Sequence, residues 1–583
     1  MAELLSGNEA IARGAYQAGV TVATGYPGTP STEILEALVR HRDEVYCEWS
    51  PNEKVALEVA VGASLAGARC LVTMKHVGLN VAADPLLNLS SIGVEGGLVI
   101  CVADDPGRHS SQNEQDTRWY ARLAKVPVFE PANSQEAIDF MAVAIEISER
   151  YRTPVILRTT TRVSHSRSLV ELSPRRVSER PIAFEKNPSR HCPLPLWGGV
   201  MRENLENRLR DLGAEGSTLP VNRIEWADRK LGIITESIAY EYVKDVWPEA
   251  SVLKLGMPFP FPDALLREFA AGVERVLVVE ELEPVLEERV RVLGIPCVGK
   301  EVVPIIGELS PTVLAASRAK LEGREIQRDT AKLNVELPGR PPVLCPGCPH
   351  RGLFHALTKH DVVVTGDIGC YSLAVFKPLD RTDVILCMGA GVSMAHGFDK
   401  AGLDKKIVGV VGDSTFFHSG ITGLLDISYN RGCSTIVVVD NRTTAMTGHQ
   451  DHPGTGRTLM GETTIEADIA DIARACGFRR VRIVNPYDLA ATQAAVNEEL
   501  GTDEPSLIVS RAPCPLHQRK PVGKQRRLDD DKCRSCRVCL KLGCPAIEYE
   551  GGKPRINSLL CAGCGMCEQV CRFGAIQAEA DHE

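Results

Sequence analysis

Eight of the chain's twenty cysteines fall within its last 51 residues, in two runs of similar spacing. The first holds Cys533, Cys536, Cys539 and Cys544; the second holds Cys561, Cys564, Cys567 and Cys571. Thiolates are soft anionic ligands suited to iron, and two-residue gaps let one loop wrap one iron–sulfur cube. Three closely spaced cysteines followed by a fourth is the ligand pattern of a [4Fe-4S] cluster, present twice. Structural zinc and unpaired buried thiols are the alternatives, and eight cysteines in paired order weigh against both. Such a module moves single electrons, so the rest of the chain is read for a reaction that releases them.

In two-cluster ferredoxins each run lends its fourth cysteine to the other cluster. On that rule one cluster takes Cys533, Cys536, Cys539 and Cys571, and the other takes Cys561, Cys564, Cys567 and Cys544. The first run has four residues rather than three before its last cysteine, and the second lacks the proline that usually follows.

A second constellation resembles the magnesium and diphosphate motif of thiamine enzymes. Gly412, Asp413 and Ser414 follow an apolar run ending at Val411, and Asn441 follows the next such run. A diphosphate is anionic and needs a hard divalent ion held by oxygens. The Asp413 carboxylate and Asn441 amide oxygen, at successive strand ends, suit that ion, with the Thr443 carbonyl as third ligand. Upstream, Gly366 and Asp367 open a glycine-rich turn after the apolar run Asp361–Val364. A lone Gly-Asp-Ser could be only a tight turn; Asn441 at its offset makes the stronger case. Thiamine enzymes also need a glutamate against the aminopyrimidine ring. Glu53, opening an Ala- and Gly-rich helical stretch, is the candidate, with Glu48 and Glu58 as local competitors and a solvated helix cap as the bland alternative.

These residues require strand ends and helix starts, and the sequence supplies them. Residues 1–172 alternate short β-branched runs (69–74, 97–102, 153–157) with helical patterns such as Asn52–Ala66, which predicts a parallel sheet covered on both faces. Pro- and Arg-rich text makes 173–229 read as linker or irregular. A second α/β region spans 230–325 and offers few catalytic groups, so a packing or dimerisation role is expected. A Pro-rich tether over Leu337–Val343 precedes a third α/β block at 338–516, and a polar basic tether leads to the cysteine module at 525–583. The predicted fold class is multidomain α/β: two thiamine-binding-type parallel-sheet domains, an intervening α/β domain and a two-cluster ferredoxin-like domain. No repeat is legible apart from the cysteine runs.

A net charge of −9 and the lack of a long basic run give no sign of nucleic-acid binding. No apolar segment approaches the ~18–20 residues that span a bilayer, and the first residues lack the basic flank of a signal peptide. A cytoplasmic protein is expected, where clustered cysteines mean metal or redox chemistry.

The chain resembles the 2-oxoacid:ferredoxin oxidoreductases, nearest to large subunits of the indolepyruvate type. The residues that carry this are Gly25–Thr32 (GYPGTPST), Glu48–Glu53 (EWSPNE), Met74–Asn80, Asp105–Asp116, Cys345–His350 (CPGCPH) and Gly412–Ser414. The irregular first cluster motif also fits this subunit family. The resemblance implies oxidative decarboxylation of an aryl-2-oxoacid such as indolepyruvate or phenylpyruvate, with thiamine diphosphate, Mg2+, coenzyme A and a ferredoxin acceptor. It further implies a smaller β subunit and an α2β2-type heterotetramer. Glu53 would then activate the cofactor, and Thr29 or Ser31 in the loop Tyr26–Ser31 would touch the 2-oxoacid. Lys75, His76 and Asn80 would be further contacts or ordinary loop residues. Non-oxidative decarboxylation, and an electron-transfer subunit with vestigial thiamine domains, are the rival readings.

Cys345, Cys348 and Cys370 also resemble three ligands of the cluster nearest thiamine in pyruvate-type relatives, with Cys514 as a fourth. A plain loop turned by Pro346 and Gly347 is the alternative, and the sequence leaves both open. Other cysteines, such as Cys70, Cys101 and Cys433, sit in apolar text and read as core.

Overall fold

Runs of Val, Ile and Leu too short for helices become central strands because only a sheet covered on both faces buries such runs completely. In the first 172 residues the strands Cys70–Lys75, Leu98–Asp104 and Val155–Thr160 are buried along their whole length. The computed structural model describes residues 2–178, 180–324, 339 and 341–579, and it divides into two units, Met1–Lys332 and Leu333–Glu583.

Among the described residues the first unit holds two large sheets. One is six-stranded and parallel, in the order Tyr46–Trp49, Val22–Gly25, Cys70–Lys75, Leu98–Asp104, Val155–Thr160, Val128–Phe129. Chain order therefore reverses between Val22–Gly25 and Cys70–Lys75, which opens a crevice beyond their carboxyl ends. A short antiparallel pair, Ala2–Ser6 with Arg167–Glu171, ties the start of this domain to its end. The other sheet has five strands built around Asp228–Glu236, with Arg223–Glu225 antiparallel at its edge.

The reading of 173–229 as linker or irregular needs correction. It contains the 22-residue helix Pro195–Gly216 and the edge strand Arg223–Glu225. Prolines misled there: Pro195 occupies the first turn, where a missing N–H costs nothing. Only Met201, Leu205, Leu212 and Gly216 of that helix are buried, a stripe too thin to stand out in charged text. Of the tether expected over Leu337–Val343, Leu337, Pro338 and Arg340 lie outside the described residues, as do 325–336 and 580–583.

One buried arginine, Arg118, joins the two large sheets of the first unit, and a second, Arg158, pairs with carboxylates of the first domain. Arg118 donates to Asp116 (2.6 Å), to Glu280 (2.6 Å) and to the carbonyls of Glu281 and Glu283 (2.9 and 3.0 Å). Arg158 donates to Asp104 (2.6 Å) and Glu130 (2.9 Å). Burial pushes the carboxyls of Glu130, Glu236 and Glu280 upward, with the arginines opposing it. The middle domain is thus docked through charge that is satisfied only in the assembled fold.

The second unit holds another six-stranded parallel sheet, ordered Val384–Ile385, Val362–Gly366, Lys406–Gly412, Thr435–Asp440, Ser506–Arg511, Arg480–Val484. Numbered within its own domain, this order is the same as in the first sheet, an architectural repeat that the sequence does not display. Its crevice lies between Val362–Gly366 and Lys406–Gly412. The cysteine module follows, with strands Arg526–Leu528 and Ile576–Ala578 paired and a hairpin of Ile547–Glu550 with Lys553–Ile556. Among the described residues no helix is long and apolar enough to cross a membrane.

Removing one partner of a buried ion pair leaves the others uncompensated, at a cost of about 3–5 kcal/mol. Arg118→Met should therefore lower unfolding stability by about that amount in chemical denaturation of the purified chain. A variant as stable as the parent would show that the network does not hold the two sheets together.

Candidate functional site: a thiamine crevice and three groups of cysteines

In the first unit the three glutamate candidates separate by burial. Glu53 begins the helix Glu53–Leu65, whose first turn is capped by Asn52 accepting from the Val55 N–H (2.9 Å). It is only 5% exposed. Gly78 approaches so closely that a β-carbon there would stand 2.5 Å from a Glu53 carboxylate oxygen. Glu58 is exposed and pairs with Lys54 one turn away. Glu48 accepts from the hydroxyls of Tyr46 and Ser50 (2.8 and 2.7 Å).

The loop Tyr26–Ser31 leaves the strand Val22–Gly25 at the crevice of the first sheet. The Ser31 hydroxyl donates to the Gly28 carbonyl (2.7 Å), so it is committed to the loop itself. Thr29 is half-buried, and its carbonyl accepts from the Ser110 hydroxyl (3.2 Å). Across the crevice Lys75 donates to the Ser110 carbonyl (2.6 Å). Burial brings the Lys75 ammonium down to about 8, with Asp105 opposing, so it can exchange a proton near neutral pH. His76 is buried, which lowers its imidazole below the usual range. Asn80 accepts from the Tyr120 hydroxyl (2.7 Å), an ordinary side-chain hydrogen bond.

In the second unit Asp413 and Asn441 stand just past the ends of neighbouring parallel strands. The Thr443 N–H points at both, 3.2 Å from Asp413 Oδ2 and 3.2 Å from Asn441 Oδ1. The two side-chain oxygens therefore converge, which fits a hard cation with oxygen ligands. Burial resists ionisation of Asp413, but His452, the Ser414 N–H and His350 outweigh it and hold the carboxyl below its ordinary range. His452 Nε2 lies 3.1 Å from Asp413 Oδ2. His350 Nε2 lies 3.4 Å from Asn441 Nδ2. Burial brings the His350 imidazole down to about 4 despite Asp413, so near neutral pH it is uncharged and can accept from that amide. The Asn441 oxygen is thereby turned toward Thr443.

Gly366 ends its strand and Asp367 follows it across the crevice. Asp367 is fully buried, accepts from the Tyr371 hydroxyl, and accepts from the Gly389 N–H (2.8 Å) at the start of helix Ala390–Lys400. Burial pushes its carboxyl well above the usual range, with the Gly389 N–H opposing. The Tyr371 hydroxyl also accepts from the Gly412 N–H (2.8 Å), which links the two strand ends. The start of an 11-residue helix beside this turn is a favourable place for an anionic diphosphate.

The eight C-terminal cysteines gather as two sets. One cavity is lined by Cys544, Cys561, Cys564 and Cys567, and another by Cys533, Cys536, Cys539 and Cys571. These are the interleaved sets expected from the spacing. The Arg526 N–H lies 3.4 Å from the Cys561 sulfur, and the Ala575 N–H 3.3 Å from that of Cys571. Such donors stabilise anionic sulfur. Among the described residues no three His, Cys, Asp or Glu close on a single point as one bound ion requires. A four-iron cube asks for a wider array, with each thiolate on its own iron.

A third set also gathers. Burial, then the neighbouring Cys345 and Cys514, bring the Cys370 thiol up to about 11. Burial brings Cys348 up to about 12, with Cys370 and Cys345 adding to it and Arg351 opposing. The Cys514 N–H donates to the Asn441 carbonyl (3.0 Å), so this set borders the Asp413–Asn441 pair. Three residues of the site escaped the sequence reading, Arg351, Tyr371 and His452, and His350 entered it only as the end of the Cys345–His350 motif, without a role. Arg351 and Tyr371 adjoin cysteine motifs, a usable signal. His452 is 39 positions from its partner Asp413, and nothing in the spacing marks it.

Three protein families match this chain. Residues 13–206 match the thiamine-diphosphate-binding domain of pyruvate flavodoxin/ferredoxin oxidoreductases. Residues 367–510 match the C-terminal TPP-binding domain of thiamine pyrophosphate enzymes, and 525–572 match the 4Fe-4S dicluster domain. Indolepyruvate oxidoreductase subunit IorA of Methanothermobacter marburgensis is 43% identical, over 99% of this chain and 97% of its own length. The chain belongs to the IorA family. The IorA protein of Pyrococcus horikoshii is 42% identical over 100% of this chain and 97% of its own length. The 2-oxoglutarate synthase subunit KorA of Methanothermobacter marburgensis is 25% identical over 47% of this chain and 87% of its own. The chain carries thiamine diphosphate-binding domains and a two-cluster iron–sulfur domain.

Outer-shell partners of a metal ligand are worth about 10- to 100-fold in affinity. His350→Ala should weaken magnesium-dependent thiamine diphosphate binding by about that factor in calorimetric titration. Unchanged affinity would mean that Asn441 is oriented without His350.

Proposed function

We propose that the chain is the catalytic subunit of an oxidoreductase that decarboxylates aryl-2-oxoacids of the indolepyruvate type. Carbon dioxide would leave and coenzyme A would take up the acyl group, while clusters held by the eight C-terminal cysteines would supply single-electron transfer to a ferredoxin. The observation that carries this reading is the presence, in one chain related along its whole length to indolepyruvate oxidoreductase subunits, of a crevice suited to thiamine and magnesium together with gathered thiol sets. Bound thiamine diphosphate supplies the carbanion and the electron sink.

The chain's own residues then have distinct tasks. Asp413, Asn441 and the Thr443 carbonyl hold magnesium, with Gly412 and Ser414 shaping the turn. Gly366 and Asp367 border the diphosphate. Glu53 exchanges the proton that activates the cofactor, and its burial against Gly78 keeps water from competing. Thr29 is the better placed of the two loop residues to meet the 2-oxoacid, since the Ser31 hydroxyl is already spent on Gly28. Cys533, Cys536, Cys539 and Cys571 hold one cluster, and Cys561, Cys564, Cys567 and Cys544 the other. The designation of the relatives as a subunit supports a partner, which we take to be a smaller β subunit in an α2β2 assembly working in the reducing cytoplasm.

The gathering of Cys345, Cys348, Cys370 and Cys514 favours a third cluster over a plain loop. Iron analysis of the anaerobically purified chain should then give about twelve irons rather than the about eight of two cubes. Full occupancy at about eight would remove the third site.

The deciding experiment is an anaerobic assay of the purified complex against a panel of 2-oxoacids, with coenzyme A and a dye acceptor. Aryl-2-oxoacids should reduce the dye in a coenzyme A-dependent way, and Glu53→Gln should abolish carbon dioxide release with the cluster spectra intact. Turnover without acceptor or coenzyme A would favour non-oxidative decarboxylation. An active Glu53→Gln complex would sink the assignment of Glu53.

A further inference from the structure

Arg351 is 1% exposed, and among the described residues no carboxylate pairs with it. Its Nε has no hydrogen-bond partner. Its Nη1 donates to the Leu542 carbonyl (2.7 Å), and its Nη2 to the carbonyls of Leu344 (2.8 Å) and Cys345 (3.1 Å). A guanidinium cannot shed its proton in a protein, and a buried charge needs a counter-charge. Three carbonyl dipoles orient the group but do not neutralise it. What anion does the fold provide?

The side chain lines the same cavity as Cys544, Cys561, Cys564 and Cys567. Its carbonyl partners sit beside ligand positions: Leu542 is two residues before Cys544, and Leu344 one before Cys345. Its charge also acts on the thiols of Cys345, Cys348 and Cys564. A [4Fe-4S] cube with four thiolates is a net anion, and it gains one further negative charge when it accepts one electron. A fixed cation at its edge therefore stabilises the reduced form more than the oxidised form.

We propose that Arg351 is the buried counter-charge of the cluster held by Cys544, Cys561, Cys564 and Cys567, raising its reduction potential while pinning it to the Cys345–Cys348 loop. This rests on the ligand assignment above. Arg351 acts through the cluster, as a positioning residue, and takes no part in the bond-breaking chemistry. The Tyr487 hydroxyl, which donates to the Gly347 carbonyl (2.8 Å), also braces that loop.

The test is an anaerobic redox titration of the full complex followed by electron paramagnetic resonance, with iron measured in each sample. Arg351→Met should make the midpoint potential of one of the two dicluster signals more negative and leave that of the other unmoved. Arg351→Lys, which keeps the charge, should shift it less. Iron lost from Arg351→Met but kept in Arg351→Lys would also support the proposal, because charge is then what the cluster needs. An iron-replete Arg351→Met complex with the parent's potentials would overturn it. Iron lost from both variants would overturn it too, making the residue a strut for the backbone. A parent complex with no pair of four-iron signals would instead defeat the ligand assignment, and the inference with it.

Discussion

Asn441 is held on three sides, and the second unit depends on that grip. Its amide nitrogen faces His350, its amide oxygen accepts from the Thr443 N–H, and its main-chain carbonyl accepts from the Cys514 N–H. Each contact reaches a different part of the site: the helix after the Cys345–Cys348 loop, the turn at Thr443 beside Asp413, and Cys514. One short side chain at a strand end therefore ties that turn to the cysteine-bearing loops. Longer side chains would spend more conformational entropy in holding the same geometry.

The parallel sheets make this economy work. Both six-stranded sheets reverse their chain order at the same internal position, and each opens its crevice there. In the first sheet the crevice receives the Tyr26–Ser31 loop and Lys75; in the second it receives Asp367 and Asp413. The polar groups lie at strand ends, and the strands beneath them are almost wholly apolar. Chemistry is confined to the rim, while burial of Val, Ile and Leu stabilises the platform.

Much of this was legible in the sequence because its signals are local. Cysteine spacing grouped the two C-terminal sets, and β-branched runs located the strands that carry Asp413 and Asn441 to within a residue or two. What escaped was non-local. The linker reading of 173–229 failed because proline at a helix start and proline in a tether look alike in text. The common strand order of the two sheets left no trace, since topology is set by crossovers and not by composition. His452 and Arg351 take their meaning from partners far along the chain, and no short window contains both halves of those contacts.

Gly347 has a consequence of its own. Its backbone takes a left-handed conformation (φ +71°), and a β-carbon there would stand 2.5 Å from the Ala562 side chain. The loop bearing Cys345 and Cys348 therefore touches the loop bearing Cys561 and Cys564 without room for a methyl group, let alone water. Any side chain at position 347 would therefore drive the two cysteine loops apart, so their spacing is set by the absence of one carbon atom.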